Sequence, residues 1–270
     1  MTTTRGVFAV AIVGLWIAGM VVMLRRNANR SEAQQLAEVA LRLQPATFYY
    51  TIDRDGVQIG AASSALDTTS QTLVSEEYFV GDYPVPGRAV ERTSARWQTR
   101  LTRGFRLVGL SIDVARPTRP FTINASVAED TTLIIGTKRP GKRLPARYTF
   151  APPLFTPSLA PMVFMLGGPP EIGRKQVLSV FDPTTRTVIR PELVIRGDSL
   201  FSVIDSAALD NTGSWTPAHR DTVRAWRVEG APHGLTAWVD AEGRIVTARA
   251  GAFSATRTAF EIAFKNPKAR

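Results

Sequence analysis

TFYYTIDRDGVQIGAASSALDTT, residues 47–69, decides the fold. An aromatic and β-branched run ends in Asp55-Gly56, the pair that two-residue hairpin turns prefer, and a second strand opens at Val57. The same grammar runs on through LVSEEYFV (73–80), RTSARWQTRLT (92–102), FRLVGLSIDVA (105–115), FTINASVA (121–128) and TLIIGT (132–137). Period-2 alternation in these segments suits a sheet with one buried face. Their serial order leaves no room for helical crossovers, so the pairing is expected to be an antiparallel meander. After residue 170 the strand signals return in QVLSVFDPTTRTVIRPELVIRG (176–197), SLFSVIDSA (199–207), TVRAWRVEG (222–230), LTAWVDAEGRIVTARA (235–250) and RTAFEIAFK (257–265). Asp182-Pro183 and Glu242-Gly243 sit where turns are needed.

Between the two strand-rich halves, KRPGKRLPARYTFAPPLFTPSLAPMVFMLGGPP (138–170) is basic at its start and apolar and proline-rich after. Residues 158–166 can form one or two helical turns, with Pro161 allowed only near the helix start. Such a segment can plug one end of a core, line a cleft or meet a partner. Pro161, Met162, Phe164 and Met165 are its candidate partner contacts, on the premise that they are exposed.

Upstream of the sheet, residues 6–24, GVFAVAIVGLWIAGMVVML, carry no charge and no proline. A helix of this length reaches roughly 28 Å, enough to cross the hydrocarbon of a bilayer. Val7, Ile12, Leu15, Trp16, Ile17, Val21 and Leu24 are the apolar anchor residues. A cleaved signal peptide fits less well, because the run is long and stops at Arg25 and Arg26. Residues 26–45 follow as a linker helix, in which Leu36, Val39, Ala40 and Leu43 recur at helical spacing with Ser31 as a cap. The expected class is mainly β: a transmembrane helix over 1–25, the amphipathic helix, and a curved antiparallel sheet or half-barrel over 46–270. A sub-boundary, if there is one, falls near 140–170.

A single span, a short basic tail and a long following domain indicate an inner-membrane protein with its bulk in the periplasm. The basic residues just after the span argue for the cytoplasm instead, so sidedness stays open. The chain has a formal charge of +10 and no cysteine. Without cysteine there is no disulfide, thiolate metal site or cysteine nucleophile. The excess of charge lies mainly in the β domain, where residues 45–270 hold 28 basic against 21 acidic side chains. Scattered arginines in alternating strands do not suggest nucleic acid; membrane lipid or acidic subunits of a larger membrane complex are the expected partners. Arg25 and Arg26 beside the span, and Arg92, Arg96 and Arg100 along one side of a strand, are the cationic contacts. Thr93, Ala95, Trp97, Thr99 and Leu101 take the other, buried side.

No catalytic residue, cofactor or metal ligand set is expected. The two histidines, His219 and His233, lie in no metal-ligand spacing, and the span has none to ligate a pigment. His219, Asp221 and Ser214 are too close in sequence for a hydrolytic triad. Glu76 and Glu77 fall on opposite faces of a strand and are expected to be solvated.

An aromatic strand followed by DGVQIGAASS (55–64), then LAPMVFMLGG (159–168), QVLSVFDPTTRTV (176–188) and LTAWVDAEGRIV (235–246), resembles exported bacterial domains found beside transglutaminase-like proteins. These are similar in outline to the half-barrel sheets of lipoprotein carriers. That resemblance implies a concave apolar face for a lipid or a partner segment, and no catalytic residues. One span followed by a β-rich extrinsic domain also resembles accessory subunits of bacterial membrane assemblies, such as photosynthetic reaction-centre and light-harvesting complexes. The function expected from sequence is a non-enzymatic membrane-anchored subunit that braces partner proteins, the alternative being a periplasmic lipid or lipoprotein carrier.

Overall fold

The computed structural model describes residues 36, 38, 43–69, 71–83, 90–118, 120–129, 131–139, 142–143, 146–150, 152–182, 185–231 and 235–265. The anchor at 6–24, Arg25, Arg26, His233 and most of the linker helix lie outside these residues. Among the described residues no helix is long and apolar enough to cross a membrane. Leu36 and Glu38 are helical; Leu36 and Leu43 are buried in the core while Glu38 is exposed, as an apolar stripe docked on the domain requires.

The protein is mainly β, with one large antiparallel sheet. Its first half is β1 (Ala46–Arg54), β2 (Val57–Thr68), β3 (Thr72–Tyr83), β4 (Glu91–Thr102), β5 (Leu107–Ala115), β6 (Phe121–Ala128) and β7 (Thr132–Arg139). The short β8 (Lys142–Arg143) and β9 (Ala146–Thr149) both pair with β7. Then come β10 (Leu154–Phe155), the helix α1 (Ala160–Leu166), β11 (Lys175–Val177), β12 (Ser179–Asp182) and β13 (Thr187–Ile189). The chain returns to the main sheet in β14 (Glu192–Leu209), β15 (Trp215–Ala231), β16 (Leu235–Val239), β17 (Ile245–Ala250) and β18 (Phe253–Thr258). The main sheet runs β11-β14-β15-β16-β17-β18-β1-β2-β3-β4-β5-β6-β7-β8, so the expected meander is present and the β1–β18 pair joins its two halves. A three-stranded sheet, β10-β12-β13, stands apart.

The Asp55-Gly56 turn forms as read, with φ of 50° and 81° at its two residues, the left-handed pair that a tight hairpin needs. Parity then fixes each face. Phe48, Ser64, Glu77 and Trp97 are partners across β1–β4 and share the inner face, while Glu76 and Arg96 turn outward. Residues from both halves of the sheet, among them Leu66, Ile112 and Ile135 with Leu193, Val228 and Val239, belong to one core with Phe155, Val163 and Phe164.

Helix α1 confirms the reading of residues 158–166: Pro161 stands in the first turn, where its missing N–H leaves no bond unmade. Its far end is held by Arg174, whose guanidinium donates to the carbonyls of Phe164 and Gly168 and lies 4.4 Å from the Phe164 ring centroid. The segment is the plug of the core. Pro161, Met162, Phe164 and Met165 are all buried, so their expected role as exposed partner contacts is corrected. The apolar run that looked free to meet another protein is covered by its own sheet.

Two further expectations change. The separate strands read over 176–197 and 199–207 end as parts of one 18-residue strand, β14, because a register shift at Ile195/Gly197 carries the pairing past Gly197. Its outer part forms a ribbon with β15, and Val203 and Ala225 pack on Val246, with Phe201, Val223 and Trp238 around them. RTAFEIAFK is a strand only as far as Thr258; Glu261–Lys265 is a wide helical turn. Phe260 and Phe264, four apart, meet Tyr49 at 5.1 and 6.1 Å between ring centroids, a pairing that helical spacing allows and the roughly 13 Å between such positions on an extended strand does not.

Candidate ligand-binding site

Between the inner face of β1–β4, the start of α1 and the β16–β17 turn lies a cavity of about 270 Å³. Alternation delivers its walls: Phe48, Tyr50 and Ile52 from β1, Ala62 and Ser64 from β2. Glu77 and Phe79 come from β3, and Ala95 and Trp97 from β4. Ser158 and Met162 close it from the helix side, and Gly243, Arg244 and Ile245 from the turn. Small residues at Ala62, Ser64 and Ala95 leave the room; larger ones on these strands would fill it.

Glu77 is the polar centre. Its Oε1 accepts hydrogen bonds from Ser64 Oγ and Ser75 Oγ, each at 3.0 Å, and Ser158 also bonds the carboxyl. Burial raises its pKa and the three hydroxyls lower it; burial wins, and the carboxyl is pushed up to about 7. Glu77 was expected to be solvated, and this is corrected: the face assignment holds, but that face is the interior one. Glu76 behaves as expected, paired with Arg96 at 2.9 Å on the outside. Trp97 lines the cavity beside Glu77, and its indole Nε1 is buried with no hydrogen-bond partner among the described residues.

At the opposite wall the charges are compensated. Arg244 meets Glu242 at 2.6 Å and Arg257 meets Asp240 at 3.3 Å, and both guanidiniums lie over the Phe48 ring. Tyr50 donates its hydroxyl to the Ile245 carbonyl at 3.3 Å, tying β1 to β17. Burial, and then the charge of Glu77, push its phenol above the ordinary range.

The outward arginines of β4 are exposed, as read. Arg92 pairs with Asp82 at 3.4 Å and Arg96 with Glu76, so part of the basic row is answered by acids of β3. Arg100 is exposed on the same row. Thr93, Thr99 and Leu101 are buried behind it, and Trp97 lines the cavity, as their parity predicts.

On the ribbon, Asp205 accepts from His219 Nδ1 at 2.9 Å, and Asp221 lies 3.9 Å away. This hydrogen bond raises the His219 pKa and lowers that of Asp205. The three offer ligand atoms within 4.8 Å of one another, all on exposed side chains. Ser214 does not join them: it sits in the hairpin tip, its backbone N–H bonded to Asp210 and its hydroxyl accepting from Thr212.

Sequence reading missed the cavity. The available signal was the polar, small-residue set Ser64, Ser75, Glu77 and Trp97 on faces that hairpin parity makes common, where a packed core would place large aliphatics.

No family model and no curated protein matches the sequence. Among solved structures, the chain is similar to a beta-barrel-like protein of a domain of unknown function, DUF1849, from Brucella abortus, with a TM-score of 0.48 and 15% identity over 80% of this chain and 94% of that one. It is also similar to a DUF1089 family protein from Pseudomonas aeruginosa, with a TM-score of 0.38 and 10% identity over 68% of this chain and 87% of that one.

Proposed function

We propose that the chain is a non-enzymatic, membrane-tethered binding protein that holds a small amphiphilic molecule in the cavity between β1–β4 and α1. The cavity carries this reading. Well-packed proteins leave few concavities of this size unfilled, yet this cleft amounts to about 270 Å³ beside the core, with Leu66 and Met162 of that core in its wall. Mostly apolar walls with a few convergent polar groups are what small-molecule sites have in common. In this reading the sheet is the half-barrel expected from sequence, its concave side shared between the helix plug and the ligand. The 6–24 run supplies the tether, and the domain works as a carrier rather than as a catalyst. A bracing role would have used Pro161, Met162, Phe164 and Met165, which are buried, so the cavity takes their place as the binding element.

The test is extraction of the purified full chain, followed by mass spectrometry of small molecules. A near-stoichiometric amphiphile is expected from the natural sequence, and its loss from Ala62→Leu, which fills the cavity. Recovery of the same molecule in equal amount from Ala62→Leu, or no molecule from either protein, defeats the reading.

A further inference from the structure

From the geometry of its polar end we infer that the cavity selects an organic ammonium group, carried on a short apolar chain or ring, which Glu77 and the aromatic rings of Trp97, Phe79 and Tyr50 receive. This inference rests on the proposed binding role and adds the chemistry of the ligand's head.

Buried carboxylates in proteins are normally answered by a cation as well as by hydrogen bonds. Glu77 has the hydrogen bonds: Ser64, Ser75 and Ser158 all donate to it. Among the described residues Glu77 makes no ion pair, and the arginine that lines the same cavity, Arg244, already faces Glu242, while Arg257 behind Phe48 faces Asp240. Once ionised, Glu77 therefore presents a negative charge whose cationic complement the ligand can bring. The aromatic side chains of Trp97, Phe79 and Tyr50 line the same cavity. A ring quadrupole attracts a cation within about 6 Å, and a carboxylate set among aromatic rings is the arrangement that recognises alkylammonium ions. Trp97, the strongest cation–π partner among side chains, is the cross-strand neighbour of Glu77.

The groups facing Glu77 from each surrounding element are the hydroxyls of Ser64 on β2, Ser75 on its own strand and Ser158 before α1, and Trp97 on β4. Tyr50 on β1, Tyr78 on β3 and Arg244, paired with Glu242, are the other ionisable side chains among the residues that line the cavity. The Glu77 carboxyl is pushed up to about 7 by burial, which gives the selectivity a pH signature near neutrality. An alkylamine stays protonated throughout this range, so its binding should strengthen as Glu77 ionises.

Three probes on one skeleton separate the possibilities: phenylpropylammonium, phenylpropanol and phenylpropanoate, titrated calorimetrically into the full chain in lipid nanodiscs, with empty nanodiscs subtracted. The ammonium is expected to bind at least about ten-fold more tightly than the alcohol, and the carboxylate most weakly. Its affinity should rise between about pH 6 and pH 8, and Glu77→Gln should abolish both the preference and the rise. Equal or tighter binding of the alcohol or the carboxylate, or an undiminished ammonium preference in Glu77→Gln, overturns the head-group inference and leaves the cavity's binding role standing. Failure of all three probes to bind also overturns the head-group inference, and the binding role then stands or falls on the extraction test.

Discussion

Glu77 is a carboxyl whose charge is opposed by its surroundings, and that opposition must appear in stability. Its pKa in the folded chain is about 7 against 4.5 for an ordinary glutamate. Between those two values the folded protein keeps a proton that the unfolded chain has lost, so this residue makes stability fall as pH rises through the window and adds no slope beyond it. The drop amounts to about 3 kcal/mol. Urea unfolding near pH 4.5 and near pH 8 should therefore show a loss that Glu77→Gln removes, with the variant overtaking the natural sequence at the higher pH. An unchanged loss in the variant would show that other groups set the dependence. The strand and the face of Glu77 were legible from alternation. Its burial was not, because whether a face meets water or a helix plug depends on residues some eighty positions away.

At the scale of elements, the β16–β17 turn and α1 are fitted to each other at one glycine. Gly243 has φ of 76°, and a Cβ built there would stand 2.2 Å from Met162 Cα and 2.9 Å from the Pro161 carbonyl oxygen. Backbone atoms cannot swing aside as a side chain can, so Gly243→Ala is expected to lose at least about 3 kcal/mol, read as a lowered urea midpoint. A change under about 1 kcal/mol would mean that the turn and the helix are not in contact in solution. Sequence marks Glu242-Gly243 as a turn from its local chemistry, and nothing in the local chemistry says that a helix lies against it. The same limit explains the final segment. RTAFEIAFK alternates well enough to read as a strand, but Tyr49 and Tyr78 on β1 and β3 take up Phe260 and Phe264 at helical spacing. Packing against an existing sheet outweighs a short stretch's own preference.

For the whole molecule, the sheet is a continuous meander whose two halves meet at β1–β18, and Leu36 and Leu43 are part of its core. The proposed tether at 6–24 stands apart from that core in sequence. Deletion of residues 1–25 is expected to release the chain from membranes into the soluble fraction with its urea midpoint unchanged, whereas the full chain should stay with membranes through a high-salt wash and leave only in detergent. Release of the full chain by salt alone would reject the tether.

By itself the sequence determined what depends on near neighbours: the apolar run, the Asp55-Gly56 hairpin, strand periods, the meander that short serial connections impose, and the place of Pro161 at a helix start. These follow from backbone dihedrals and hydrogen bonds within a few residues. Only the tertiary structure decided which apolar segment would be covered and which face would enclose a cavity. Pro161 to Met165 are buried where exposure was expected, and Glu77 is half-buried at the cavity where solvation was expected, because burial is settled by what the rest of the chain packs against a surface.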